Sequence, residues 1–263
     1  MEFLDFFEGR DWLGRGWDSY LYAPEYLIFF AVAIAVAIIL PLTQRNRTEQ
    51  TLKKILIGLW LFLLIYDVSK FCLSWTSTAL HGDGFNPATA LPFHACSTIW
   101  YSAPIALLAR KESTRRAWSA YLCSINLFGG IIGMFLGTAM MHHYSFISYY
   151  GSQMMIYHSM LVIIPMFMLI TGYYEPRWQD VLPGFSVFGI IALPTFIFDT
   201  IFRCDYMYIY DGSTLEPFKA LAAMMPHRLL WTLIAVIGYF LLIVIFLGAA
   251  IVIRKAIEKK RAV

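Results

Sequence analysis

The stretch Leu91-Pro92-Phe93-His94-Ala95-Cys96-Ser97 puts a thiol and an imidazole at the head of an apolar run. Read as a helix over residues 92–109, it places Cys96 in the first turn. A thiol there faces unsatisfied N–H groups and the positive end of the helix dipole, which favours the thiolate. The same N–H groups offer a place for an oxyanion. His94 is two residues from Cys96, so on a helix it points away from the thiol and is read as a pocket wall or substrate contact. The base role therefore falls to His158, with Asp67 or Asp199 holding its imidazole in one tautomer. Lys70, Arg203 and Arg228, with His227 beside them, are suited to clamp a phosphate. Together these parts describe acyl transfer to or from a phospholipid through a cysteine thioester.

Each part also has a plainer reading. A lone cysteine in a membrane helix is usually a small apolar filler. A lone histidine is more often a hydrogen-bonding strut, and Asp67 with Lys70 can be a buried ion pair. Pro104, Pro165 and Pro194 are tolerated kinks. His142-His143 has no carboxylate or thiol at ligand spacing, so no metal site is expected, and no cofactor is implied. Four cysteines make no zinc signature and no disulfide framework, although Cys72 and Cys204 both fall near one face.

The elements that would position these groups follow from composition. Of 263 residues, 59% are apolar and 14% charged, against about 25% charged in a soluble domain. Apolar runs near 20 residues recur, each able to cross a hydrocarbon core of about 30 Å. Backbone groups in lipid must be satisfied within the chain, so the expected class is all-α, a polytopic membrane protein. Seven transmembrane helices are expected, at 24–42, 55–75, 92–109, 117–141, 152–173, 181–202 and 226–253. Residues 203–225 read as a loop. The glycine row Gly129, Gly133, Gly137 in the fourth run reads as packing, since small residues every fourth position let helices approach.

Residues 1–21 are aromatic and acidic and read as an interfacial segment, followed by a transmembrane domain over 22–253 and a basic cytoplasmic tail over 254–263. The N-terminus lacks the basic region of a signal peptide. Lysine and arginine set the orientation. The loops after the first, third and fifth runs, with the tail, hold 14 of them, whereas the N-terminus and the remaining loops hold 4. The N-terminus is thus expected outside and the C-terminus in the cytoplasm, as seven crossings require. With that polarity, Asp67, Lys70, His94, Cys96, His158, Asp199, Arg203, His227 and Arg228 fall in one leaflet, on five helices. Intramembrane charges normally face a cavity and a partner, so a polar pocket open to the outer side is expected. The net charge of +3 comes from loops and tail and carries no nucleic-acid signal.

Four motifs in order carry a resemblance: the Leu-Pro-Phe-His-Ala-Cys stretch, then Tyr157-His158-Ser159-Met160, then Pro176-Arg177-Trp178-Gln179-Asp180, then Asp205-Tyr206-Met207-Tyr208. Over roughly residues 25–250 the chain resembles the YwaF-like family of seven-helix membrane proteins, which includes animal transmembrane protein 164. For the animal branch the resemblance implies a cysteine-dependent acyltransferase acting on phospholipid acyl chains, with Cys96 and His158 in the family's Cys and His positions. The chain has Asp205 where an asparagine often precedes the Tyr-Met pair. The implied partners are a lipid substrate and the membrane, which would be the plasma membrane in a bacterium. Two other readings stay open: a transporter or small-molecule- or lipid-binding protein using the same pocket without chemistry, and a structural or sensory membrane protein.

Overall fold

The computed structural model describes residues 24–81, 91–135, 149–212 and 216–261. These form eight helices with no strand among the described residues. They are α1 (Pro24–Gln44), α2 (Glu49–His81), α3 (Ile99–Leu108), α4 (Glu112–Phe135), α5 (Tyr149–Thr171), α6 (Val181–Phe202), α7 (Glu216–Ala223) and α8 (Arg228–Arg261). Five of them, α1, α4, α5, α6 and α8, are long and apolar enough to cross a membrane. Of the other two expected crossings, one lies within α2, whose 33 residues include Lys53, Lys54, Asp67 and Lys70. The other shrinks to the ten residues of α3, about 15 Å long. The N-terminal 1–21 segment, His142-His143 and Gly137 lie outside the described residues.

The chain divides into two compact units. One comprises Met1–Gly84 and Leu127–Thr171. Its centre is α5, which packs on α1, α2 and the Leu127–Phe135 end of α4. Helix α5 is apolar around its whole circumference, and nearly every residue from Gln153 to Met168 is buried, as expected of an element enclosed on all sides. Helix α1 buries Tyr26, Ala33 and Ala37 and exposes Ile28, Val32 and Ile39. The buried alanines, four apart, form a small-residue face of the kind that admits a close neighbour. Of the expected glycine row of α4, Gly133 works the same way, together with Gly130, which is not part of that row. A Cβ added at Gly130 would come within 2.7 Å of the Leu161 Cβ, and one at Gly133 would overlap the His158 imidazole.

The second unit comprises Phe85–Asn126 and Gly172–Val263. Within it the Glu112–Tyr121 part of α4 packs on α3 and α6, with Gly184 of α6 against Ala120. Helix α4 passes through a π-helical turn at Leu122–Asn126, every residue of which is buried. Ahead of α6, Asp180 is the hub of a polar latch. Arg116 pairs with its carboxylate, Tyr174 donates its hydroxyl to Oδ2 at 3.1 Å, and the Arg177 N–H donates to the same oxygen at 2.9 Å. Arg116 also donates to the Glu175 carbonyl at 3.0 Å. The Pro-Arg-Trp-Gln-Asp motif thus has a structural role. Trp178 stacks near Gly248 of α8, and Glu175 pairs with Arg254 at 2.8 Å.

Two expectations are corrected. The third run does not begin as a helix at Pro92, since residues 91–98 form successive turns and α3 starts at Ile99. The reason lies in the Ala95 carbonyl. In a helix it would accept the Ile99 N–H. Here it accepts the Thr98 hydroxyl at 2.7 Å and the Asn126 amide at 2.7 Å, and Ile99 turns to the Cys96 carbonyl at 3.5 Å. Side-chain bonds to nearby carbonyls compete with helix in this way. Second, residues 203–225 are not a plain loop. They hold a 3-10 turn, Tyr206–Tyr208, and the amphipathic α7.

Candidate functional site

Cys96 sits three residues before α3, half-buried, in backbone that is not helical. The helix start that the sequence places at Pro92 thus falls three residues after Cys96, at Ile99. What holds Cys96 is a buried polar cluster. Asn126, at 0% exposure, donates its amide to the Ala95 carbonyl at 2.7 Å and to Thr98 Oγ1 at 2.8 Å, and its Oδ1 accepts from Ser102 at 2.8 Å. Thr98 Oγ1 lies 3.1 Å from the Tyr121 hydroxyl. All of the Asn126 amide's donors and its acceptor face this cluster, which leaves the residues flanking Cys96 little freedom. The Cys96 thiol itself lies within electrostatic range of three phenols, Tyr121, Tyr208 and Tyr239.

The other wall is the segment 203–212. Met207 (φ 58°) and Tyr208 (φ 56°) both adopt left-handed backbone without being glycine, a conformation that persists only where its surroundings impose it. Three side chains impose it. The Asp205 carboxylate accepts the N–H of Tyr210 at 3.0 Å and of Asp211 at 3.2 Å, Tyr239 donates its hydroxyl to the Met207 carbonyl at 2.8 Å, and Trp231 donates its indole N–H to the Tyr208 carbonyl at 3.0 Å. Gly212, at φ 69°, lets the chain pass the Trp231 ring, where a Cβ would come within 2.6 Å. Burial raises the Asp205 carboxyl above its ordinary range, and pushes the Cys204 thiol and the Tyr206 phenol each up to about 12. Cys204 donates its S–H to Asp199 Oδ1 at 3.2 Å and is a free thiol, not half of a disulfide.

This segment is stitched to the Cys96 turns. The Leu91 N–H donates to the Tyr206 hydroxyl at 3.0 Å. Phe93 meets Phe198 and Tyr206 edge-on at 5.3 and 5.5 Å. His94 packs its ring on Tyr206 at 4.7 Å and Tyr208 at 5.9 Å, and its buried Nδ1 has no hydrogen-bond partner among the described residues. Asp199 is fully buried, with Oδ2 likewise lacking a hydrogen-bond partner among the described residues.

The nine residues singled out from sequence divide between the units. His94, Cys96, Asp199, Arg203, His227 and Arg228 belong to the second, whereas Asp67, Lys70 and His158 belong to the first. His158 is buried in α5, and its Nδ1 lies 2.8 Å from the Met154 carbonyl. A carbonyl only accepts, so Nδ1 carries the proton and Nε2 is left as the acceptor. The nitrogen that an orienting carboxylate would have to reach is thus taken by backbone. Asp67 accepts from Gln153 at 2.7 Å, and Asp199 accepts from Cys204. Lys70 lies within electrostatic range of His158. Arg203 is exposed at the left-handed C-cap of α6 (φ 53°). His227 and Arg228 are exposed, and the Arg228 guanidinium stacks over the Tyr210 ring at 4.2 Å.

Sequence reasoning missed Asn126, Thr98, Tyr121, Tyr239 and Trp231, and named Tyr208 only within the Asp-Tyr-Met-Tyr motif. Only Asn126 carried a signal, because an amide inside an apolar run is costly unless it bonds another element.

The model of the TMEM164 family matches residues 20–259. The chain belongs to the TMEM164 family. The match spans both units, including the Cys96 turns, the Asp180 latch and the Asp205 segment. No curated protein and no solved structure matches the chain. Membership and the five long apolar helices together make this TMEM164-family chain an integral, multi-pass membrane protein.

Proposed function

We propose that this TMEM164-family protein is a lipid acyltransferase that moves a phospholipid acyl chain through a thioester on Cys96. The observation that carries the reading is the setting of Cys96. Its thiol stands in irregular backbone, braced by Asn126 and Thr98, and lies within electrostatic range of three phenols. Irregular backbone at membrane depth is tolerated only where protein buries it or a cavity is lined.

In the proposed reaction Cys96 loses its proton to a base and Sγ adds to an ester carbonyl carbon. Phenol hydroxyls near the thiol donate to the oxyanion. The adduct collapses with cleavage of the ester C–O bond. The glycerol oxygen leaves with the base's proton, giving an acyl-Cys96 thioester and a lysophospholipid. A hydroxyl of a second lysophospholipid then attacks the thioester carbonyl, its proton passes to the base, and Cys96 is regenerated. His158 is assigned as the base because its Nε2 is held unprotonated by the Nδ1–H bond to Met154. His94, whose Nδ1 has no hydrogen-bond partner among the described residues, is its rival.

The reading includes seven crossings with the N-terminus outside and the C-terminus cytoplasmic, supported by the lysine and arginine asymmetry. Helix α2, about 50 Å long at 1.5 Å per residue, has the length for one of them. Mass spectrometry of purified protein should find an acyl adduct on Cys96 and none on Cys72, Cys123 or Cys204. Cys96→Ala should abolish acyl transfer. Unchanged turnover in that variant would leave lipid binding or transport as the function.

A further inference from the structure

Three phenols of the second unit lie within electrostatic range of the Cys96 thiol, those of Tyr121, Tyr208 and Tyr239. Each hydroxyl has one proton to donate. We infer that Tyr208 is the residue that donates it to the oxyanion formed when Cys96 adds to an ester carbonyl. This rests on the reading of acyl transfer through Cys96, and it assigns a further catalytic residue to that site.

Two of the three protons are already committed. The Thr98 hydroxyl gives its single proton to the Ala95 carbonyl at 2.7 Å, because a carbonyl only accepts. Thr98 Oγ1 is therefore the acceptor in its 3.1 Å contact with Tyr121, and the Tyr121 phenol is the donor. Tyr239 donates to the Met207 carbonyl at 2.8 Å. Tyr208 is different. Its carbonyl accepts from Trp231, and its ring packs on Phe218 at 5.2 Å and on His94 at 5.9 Å, but its hydroxyl makes no hydrogen bond among the described residues. A fixed donor without an acceptor is what an oxyanion site requires, because it needs no reorganisation at the moment of reaction.

The backbone supports the same assignment. Tyr208 is half-buried and held left-handed at φ 56°. Such backbone clusters at active sites, where the surroundings over-determine it. Asp205, Tyr239 and Trp231 hold this segment entirely through main-chain groups and leave the Tyr208 hydroxyl alone. Burial raises the Tyr208 phenol above its ordinary value, so it keeps its proton at neutral pH. In the reaction, Sγ adds to the carbonyl carbon and the carbonyl π pair moves to oxygen. Tyr208 donates a hydrogen bond to that oxygen and keeps its proton. The pair returns as the ester C–O bond breaks, and the leaving oxygen takes its proton from the base, so Tyr208 ends the step unchanged.

The test compares two reactions of Cys96 in the full-length protein, both followed by time-resolved mass spectrometry. Acylation by phospholipid builds an oxyanion. Alkylation by iodoacetamide displaces iodide and builds none. Tyr208→Phe keeps the ring and removes only the hydroxyl. It should slow the Cys96 acyl adduct about 100- to 1,000-fold, the loss of one oxyanion donor, while alkylation proceeds at the wild-type rate. Tyr121→Phe and Tyr239→Phe loosen the backbone that their hydroxyls brace, so each should change acylation and alkylation by the same factor. Wild-type acylation in Tyr208→Phe would overturn the assignment. So would a fall in alkylation as large as the fall in acylation, since that marks a residue that only positions the thiol. Either result, with an adduct on wild-type Cys96, leaves acyl transfer standing and removes Tyr208 alone. No adduct on wild-type Cys96 removes acyl transfer and the assignment together.

Discussion

Asn126 donates its amide to the Ala95 carbonyl at 2.7 Å, across 31 residues of sequence, and so grips the backbone next to Cys96. The bond takes the carbonyl that a helix would have used for Ile99. One side chain from the π-helical turn of α4 thereby keeps the thiol out of regular helix. π-helical turns recur at functional sites, and this one aims an amide that a regular α-helix would point elsewhere.

Asn126→Ala should therefore release the Cys96 turns. It leaves Ser102 without its acceptor and removes two donors, a loss of about 1–3 kcal/mol for buried groups stripped of partners. Thermal unfolding in detergent should show it, and site-resolved maleimide labelling should show a changed rate at Cys96. Asn126→Asp keeps the acceptor for Ser102 but loses both donors, so it should resemble Ala at Cys96. Wild-type labelling in both variants would mean that Asn126 does not position the thiol.

Gly133 and His158 form the matching device in the first unit. A Cβ at Gly133 would overlap the imidazole, so Gly133→Ala should destabilise by about 1–3 kcal/mol through overpacking. His158→Ala removes the obstacle, and the double variant should lose less than the two single losses added together, a coupling that a thermodynamic cycle measures. Gly238→Ala in α8 meets nothing within 4 Å and should be tolerated. Strict additivity at Gly133 and His158 would refute the fit.

Much of the helical frame was legible because apolar length is a strong signal. The run expected at 181–202 matches α6 residue for residue, and that expected at 152–173 is α5, Tyr149–Thr171. What was not legible is the irregular backbone around Cys96. Pro92 is a good first helical residue, and nothing local says that Ala95 will lose its carbonyl to Asn126. Likewise Met207 and Tyr208 give no sign of left-handed backbone, since glycine is the usual marker. Tyr239 and Trp231, which impose it, lie 32 and 23 residues from the carbonyls they hold.

Asp205 gives a pH prediction. Burial raises its carboxyl above the ordinary value, so the folded protein keeps that proton to higher pH than the unfolded chain does. Its stabilising contribution is complete below the unfolded pKa, about 3.9, and is lost as pH rises through the higher folded value. Asp205→Asn does not titrate, and its Oδ1 still accepts the Tyr210 and Asp211 N–H groups. Measured by thermal unfolding, Asn should therefore gain on wild type as pH rises from about 4 to 7. Asp205→Ala should lose about 1–3 kcal/mol at every pH, because two part-buried N–H groups lose their acceptor. Parallel curves for wild type and Asn would contradict the raised carboxyl.

The base assignment is decided by comparing two histidines of different setting. His158 has its Nδ1 proton committed to Met154, which leaves Nε2 able to take a proton from a thiol. His94 is wedged against Tyr206 and Tyr208 with Nδ1 lacking a hydrogen-bond partner among the described residues. If His158 is the base, His158→Gln should slow appearance of the Cys96 acyl adduct about a hundredfold, the scale of general-base catalysis. His94→Gln should then change lipid affinity more than the adduct rate, as a wall residue would. An adduct rate that collapses in His94→Gln but survives in His158→Gln would transfer the base role to His94 and place nucleophile and base two residues apart on the same run of turns.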